Sequence, residues 1–171
     1  NESIANLTQL VQIESNTTIP IESLNLSQYL MKTIDLIKYL KNYSEVPIIN
    51  DIHPSVCVDF NPAYLESVLL NFTTNAIKYS DKNRPTEIKY TYAVEDGKKT
   101  LSISDNGLGI DLEQYGSYLF GMYKTFHKHE EARGLGLHIT KNQIESMNGT
   151  VSVKSEVGVG TTFKITFNDV L

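Results

Sequence analysis

The segment from Asn61 to Tyr79, NPAYLESVLLNFTTNAIKY, spaces its apolar residues with a helical period. At about 3.6 residues per turn, Leu65, Val68, Leu69, Phe72, Ala76 and Tyr79 share one broad stripe. Asn71, Asn75, Lys78 and Lys82 form a second stripe about 100° round from the first. This polar line runs beside the buried face and not opposite it, where the edge of a pocket would lie. Asn61 is placed to cap the helix and Pro62 to occupy its first turn.

The rest of the chain reads as a mixture of helices and short strands. Ile4, Leu7, Leu10 and Val11 recur at helical spacing in an opening amphipathic helix that ends at the polar run SNTTIP. SLNL reads as a short strand, and Ser27 as the N-cap of a helix carrying Leu30, Ile34, Ile37 and Leu40. PIINDI and VCVDF, on either side of the turn signal HPS, read as a strand pair. TEIKYTYAV and TLSISD flank the turn EDGK as a hairpin, and TVSVKSE and TTFKITF flank VGVG as a second one. Between the hairpins, Gly134 to Met147 is helical and Gly149 terminates it. The stretch from Asn106 to Arg133 is glycine-containing and irregular, with one short helix after Ile110; a loop this long in a compact domain is characteristically functional or mobile. The sum is an α+β fold, helices laid on one face of a mixed, largely antiparallel sheet.

Composition narrows the reading. At 171 residues, 40% hydrophobic and 20% charged, the chain can bury one core, and one domain is expected. A net charge of -5 with both signs interspersed disfavours a nucleic-acid partner, whose phosphates need clustered Lys and Arg. No apolar run approaches the ~20 residues of a membrane span, and NESIANLTQL lacks the regions of a signal peptide, so direct membrane contact by this domain is not expected. The chain begins with Asn and reads as a soluble piece of a longer protein. The single cysteine, Cys57, excludes an intramolecular disulfide and is expected as a buried small apolar residue in alternating SVCVDF.

Four stretches carry candidate chemistry. On the polar edge, the amides of Asn71 and Asn75 are hard neutral oxygen donors suited to Mg²⁺, and Lys78 one turn on can meet a phosphate; solvated helix residues are the competing account. SDNGLGI follows a strand directly: Asp105 at the strand end can accept a hydrogen bond from an exocyclic amine such as adenine's, while Gly107 and Gly109 allow close approach, although a surface turn also explains DNG. In RGLGLHI a glycine-rich turn enters a helix, whose free N-H groups favour a phosphate, without the lysine and spacing of a P-loop. GVGTTF reads as a hairpin turn in which Thr161 can add a polar contact to a pocket wall.

In order, NFTTNAIKYS, DNGLGI, LFGMYKTF, RGLGLHI and GVGTTF resemble the N, G1, F, G2 and G3 boxes of a sensor histidine kinase's catalytic and ATP-binding domain, a member of the GHKL superfamily. The resemblance implies a Bergerat-type α/β sandwich: a five-stranded mixed, mostly antiparallel sheet, three main helices on one face and a long ATP lid between Ile110 and Arg133. It implies Asn75 as the Mg²⁺ ligand, Asn71 as its polar neighbour, Lys78 as a phosphate contact and Tyr79 beside the nucleotide. Asp105 matches the reader of the adenine amine, Gly107 and Gly109 shape that pocket, and Gly134, Gly136 and Leu137 follow the lid to the phosphates. Ala132 departs from the glycine common at that point, and Lys124 or Arg133 stands in for the F-box arginine that LFGMYKTF lacks.

The implied organisation is residues 1–16 as the end of a dimerisation and phosphotransfer helix, 17–23 as linker and 24–171 as the ATP-binding domain. The phosphoacceptor histidine is not in this chain, because His53, His127, His129 and His138 all lack its context. The expected cofactors are ATP and Mg²⁺, and the expected partners are the phosphoacceptor hairpin of a homodimeric parent and a response regulator. The domain is expected in the cytoplasm, with a membrane anchor on the parent left open. Hydrolytic members resemble this helix but carry a glutamate where Asn71 stands, and an amide cannot take a proton from water. That favours transfer of the γ-phosphoryl group to a histidine, with a GHKL ATPase, or a nucleotide-binding module without turnover, as alternatives.

Overall fold

The computed structural model describes residues 18–39, 46–121 and 135–168. The opening helix, most of the lid, Lys124, Arg133 and Gly134 lie outside the described residues. The elements are β1 (Glu22–Asn25), α1 (Leu26–Lys38), β2 (Ile48–Asp51), β3 (Cys57–Phe60), α2 (Pro62–Lys78), β4 (Ile88–Glu95) and β5 (Lys98–Asp105). They continue with a short α3 (Leu112–Tyr115) and a 3-10 turn at Gly116–Tyr118, then α4 (Leu135–Ser146), β6 (Thr150–Glu156) and β7 (Gly160–Thr166).

Five strands form one sheet in the order β2-β4-β5-β7-β6, with β2 parallel to β4 and the other neighbours antiparallel. This is the mixed, mostly antiparallel sheet of the expected sandwich. Strand alternation decides which face is covered. Ile88 and Tyr90 of β4, Leu101 and Ile103 of β5, and Phe163 and Ile165 of β7 are buried, whereas Ser102, Ser104, Thr162 and Lys164 between them are partly open. The buried stripes of α1, α2 and α4 join these residues in one core. Phe72 of α2 meets Phe163 of β7 with ring centroids 4.8 Å apart, which pins the candidate helix to the middle of the sheet. The fully buried Tyr90 hydroxyl shares a hydrogen bond with Thr73, whose own hydroxyl is bound to the Leu69 carbonyl, so two polar groups enter the core satisfied.

The helix caps follow local chemistry. Asn61 accepts from the Tyr64 N-H at 3.1 Å and donates to the Pro20 carbonyl at 2.8 Å, so the expected cap of α2 also ties down the segment before β1. The cap of α1 is Asn25 and not Ser27: Asn25 accepts from the Gln28 N-H at 3.0 Å. Strand β1 runs straight into the helix, which leaves Ser27 inside the first turn, buried, with its oxygen taking the Asn50 amide at 3.0 Å.

Two further expectations are corrected. PIINDI and VCVDF do not pair with each other: β2 lies parallel along β4, and β3 pairs antiparallel with β1 in a separate two-stranded sheet. The HPS turn reverses the chain locally, but hydrogen bonding goes to whichever edge buries each strand's apolar side. Cys57 is exposed, because the register of β3 turns Val58 and Phe60 inward and leaves Cys57 and Asp59 on the other face.

Candidate functional site

The polar edge of α2 faces the start of α4. Asn71 donates from Nδ2 to Thr140 Oγ1 at 3.2 Å, which joins the first box to the helix that carries the fourth. A Cβ placed on Gly136 would stand 4.0 Å from the Asn71 amide, so the first turn of α4 passes Asn71 as bare backbone. The N-H groups in the first turn of a helix have no partner within the helix and can donate to an anion. Asn75 and Lys78 sit one and two turns along the same edge, half-buried, and neither side chain has a hydrogen-bond or ion-pair partner among the described residues. Lys82 leaves the stripe, because α2 ends at Lys78 with Tyr79 as its C-cap and Lys82 is exposed in the turn beyond.

Tyr79 links this edge to the DNG turn. Its carbonyl takes the Leu108 N-H at 3.0 Å, and burial pushes its phenol pKa up. Gly107 is packed so closely that a Cβ would lie 2.5 Å from the Tyr79 carbonyl oxygen and 2.9 Å from Asp105 Oδ1. Gly109 adopts φ +73° against the Glu156 carbonyl, a backbone that suits only glycine.

Asp105 closes β5 at the centre of this group. Its Oδ1 accepts from the Gly107 N-H at 2.9 Å and the Thr161 N-H at 3.3 Å. Among the described residues Oδ2 has no partner. Desolvation raises the carboxyl pKa, and the two backbone N-H groups pull it part of the way back. The result is a half-buried carboxylate with one oxygen tied and one on offer, as a selective acceptor for a ligand's amine requires. Thr161 meets Asp105 through its backbone; its hydroxyl bonds Ser155 at 2.8 Å, and Ser155 in turn accepts the Ile110 N-H at 2.7 Å.

The structure thus ties Asn71 to Gly136 and Thr140 of α4, gathers Tyr79, Asp105, Gly107 and Thr161 around the DNG turn that also holds Gly109, and links the two groups along the α2 edge that carries Asn75 and Lys78. Leu137 is half-buried and packs against the core. His138 bonds the Phe120 carbonyl through Nδ1 at 3.0 Å and Asn142 through Nε2 at 3.1 Å. A carbonyl only accepts, so Nδ1 carries the hydrogen and Nε2 receives the Asn142 amide. Arg84 escaped the sequence reading. It lies in the polar turn SDKNRPTE with no motif around it, and its partners are backbone carbonyls of two distant turns. Among the described residues no group of three His, Cys, Asp or Glu side chains gathers to hold a metal, so a cation at this site would rest on amide oxygens and on its ligand's own atoms.

Known proteins are similar on every count. The profile of the family described as histidine kinase-, DNA gyrase B-, and HSP90-like ATPase matches residues 60–170. The heme sensor protein HssS of Staphylococcus saprophyticus is 32% identical over 149 residues, 87% of this chain and 32% of that protein. The signal transduction histidine-protein kinase ArlS of Staphylococcus aureus is 34% identical over 114 residues, 64% of this chain and 25% of that protein. The chain therefore spans a third or less of these relatives. Among solved structures, full-length ShkA in complex with AMPPNP superposes with a TM-score of 0.79 at 20% identity, covering 96% of this chain and 34% of that one. The catalytic domain of histidine kinase ThkA gives 0.74 at 20% identity, covering 88% and 96%. At that identity these two likenesses speak for the fold alone. Profile and fold agree: the chain belongs to the histidine kinase-, DNA gyrase B-, and HSP90-like ATPase family.

Proposed function

We propose that this domain binds Mg-ATP across the edge of α2 and supports transfer of the γ-phosphoryl group to a histidine on the dimerisation hairpin of its parent protein. The observation that carries the reading is the unpartnered polar edge, Asn75 and Lys78, lying beside Asn71 and the bare first turn of α4. Asn75 has an amide oxygen without a partner among the described residues and is the residue to hold Mg²⁺, with Asn71 beside it. The ion, when bound, neutralises charge on the transferring phosphate.

The chain's own groups do the positioning. Lys78 offers its ammonium to a phosphate, and the α4 terminus offers backbone N-H groups and the positive end of the helix dipole. Asp105 Oδ2 takes the adenine amine, with Gly107 and Gly109 allowing the base to lie against backbone and Tyr79 flanking it. Lys124, Arg133 and Gly134 complete the phosphate side from the lid. Asn71 cannot deprotonate water, so the chemistry favours an acceptor that brings its own nucleophile, the imidazole of a histidine. Residues 1–16 belong with the dimerisation hairpin, 17–23 are linker and the remainder is the ATP-binding domain. The domain works in the cytoplasm of a homodimeric parent, whose phosphohistidine supplies a response regulator.

The test is direct. The domain is mixed with the parent's phosphoacceptor hairpin, γ-labelled ATP and Mg²⁺. Acid-labile, base-stable label on the hairpin is expected, lost when Asn75→Ala replaces the wild type. Steady phosphate release by the isolated domain with no labelled hairpin would assign it to the ATPases instead.

A further inference from the structure

Resting on that reading, we propose that Arg84 is a positioning residue for recognition of the adenine amine. It acts through Asp105. The carboxylate oxygen Oδ1 is held by two N-H groups from different parts of the chain, Gly107 in the turn after β5 and Thr161 at the start of β7. Arg84 binds both parts. Its Nε donates to the Asn106 carbonyl at 2.7 Å, and its Nη2 to the Gly107 carbonyl at 2.8 Å and the Val159 carbonyl at 3.3 Å. Val159 stands two residues before Thr161, and Gly107 is itself one of the two donors to Asp105.

The guanidinium is in turn fixed. Asp81 Oδ2 lies 3.6 Å from Nη2, and the Arg84 side chain is only 34% exposed. Asn106 clasps the same strap from the other side, accepting the Glu87 N-H at 2.8 Å and donating to the Pro85 carbonyl at 2.9 Å. The β5 turn and the β6–β7 turn are already joined by the pairing of Asp105 with Thr161 and by the Gly158 N-H on the Leu108 carbonyl at 2.8 Å, and the Arg84 fork adds a brace across them that bears on where the free Oδ2 points. Water could satisfy the three carbonyls one by one if Arg84 were removed, but it would not replace the cross-link, leaving only the backbone bonds between the two segments to fix the aim of Oδ2. A lysine is a poor substitute, because one point charge on a flexible stem does not span carbonyls that a rigid fork reaches together.

Positioning and plain stability predict different results. If Arg84 aims Oδ2, its loss weakens nucleotides that carry the six-amino group and spares those that lack it. If Arg84 only stabilises the fold, both weaken together. The experiment is calorimetric titration of the 171-residue chain with ATP and with purine riboside triphosphate, which lacks that amine, in the presence of Mg²⁺. For Arg84→Gln the ATP dissociation constant is expected to rise about tenfold and that of the analogue by less than about twofold, the scale of one misplaced hydrogen bond to a charged acceptor. Arg84→Lys should lose about threefold in the same ratio, and it carries the comparison if Arg84→Gln does not fold. An unchanged ratio in whichever variant folds overturns the proposal while leaving the ATP-domain reading intact. No binding of either nucleotide by the wild-type chain would remove that reading, and this one with it.

Discussion

Replacing Asp105 by Asn exchanges one oxygen for an NH₂ group with almost no change in shape, and the surrounding hydrogen bonds dictate which oxygen is lost. Oδ1 accepts from two N-H groups, so the Asn carbonyl must take that place, since the reverse orientation would set donor against donor twice. The new NH₂ then occupies the position of Oδ2 and faces the base. Losing a charge-assisted hydrogen bond costs about 1.5 to 3 kcal/mol, and leaving two donors opposed adds about 1 to 3 kcal/mol. The expected loss for ATP is therefore about 2.5 to 6 kcal/mol, or roughly two to four orders of magnitude in Kd. ITP presents a six-oxo acceptor to the same NH₂, so its binding should improve and the preference between the two nucleotides should reverse. Calorimetry with both nucleotides and Mg²⁺ reads the result. An ATP Kd within about threefold of wild type, or equal losses for ATP and ITP, would refute the assignment of Oδ2 to the base amine.

Stability gives an independent readout of the same substitution. Burial holds the Asp105 carboxyl pKa above its ordinary 3.8 in the folded chain. The folded state therefore keeps its proton longer than the unfolded state, and this group's contribution to stability falls as pH rises from 3.8 through the folded value. Asp105→Asn lacks that titration. Urea melts should place the variant level with or above wild type at neutral pH, with the difference shrinking as pH drops below 3.8.

Other outcomes follow from the same geometry. Asn75→Ala should abolish measurable Mg-ATP binding with an unchanged circular dichroism spectrum, because the side chain has no partner among the described residues to lose. Phe72→Ala removes a ring that is 2% exposed and packed at a tilt against Phe163, and should cost about 3 to 5 kcal/mol in urea unfolding. Gly109→Ala combines a left-handed backbone with a collision against the Glu156 carbonyl and should destabilise by about 2 kcal/mol or more, lowering the melting temperature more than Gly158→Ala, where the added carbon has open space. A wild-type melting temperature in Gly109→Ala would contradict the packing described for the DNG turn.

Much of the site was legible because its signals are local. Periodicity placed Asn71, Asn75 and Lys78 on one edge of α2, Asn61 and Pro62 announced its start, and both hairpins followed from alternation and turn residues. The glycines at 107 and 109 stand where backbone meets backbone, a demand that glycine alone meets and that shows in sequence. The candidate chemistry of Asp105 was visible from its place at the end of a strand, but its two N-H partners were not, because Thr161 reaches it only through the pairing of β5 with β7.

What the sequence by itself determined is therefore the set of local elements and the faces they present: the polar edge of α2, the strand ends, the turns that permit close approach. Tertiary structure alone decided which edges meet. It set β2 along β4 and β3 along β1, turned Cys57 outward, and brought Arg84 onto three carbonyls. The physical reason is that sheet pairing and backbone acceptors are nearly blind to side-chain identity. A carbonyl at Asn106, Gly107 or Val159 is the same acceptor as any other until the fold puts a guanidinium beside it.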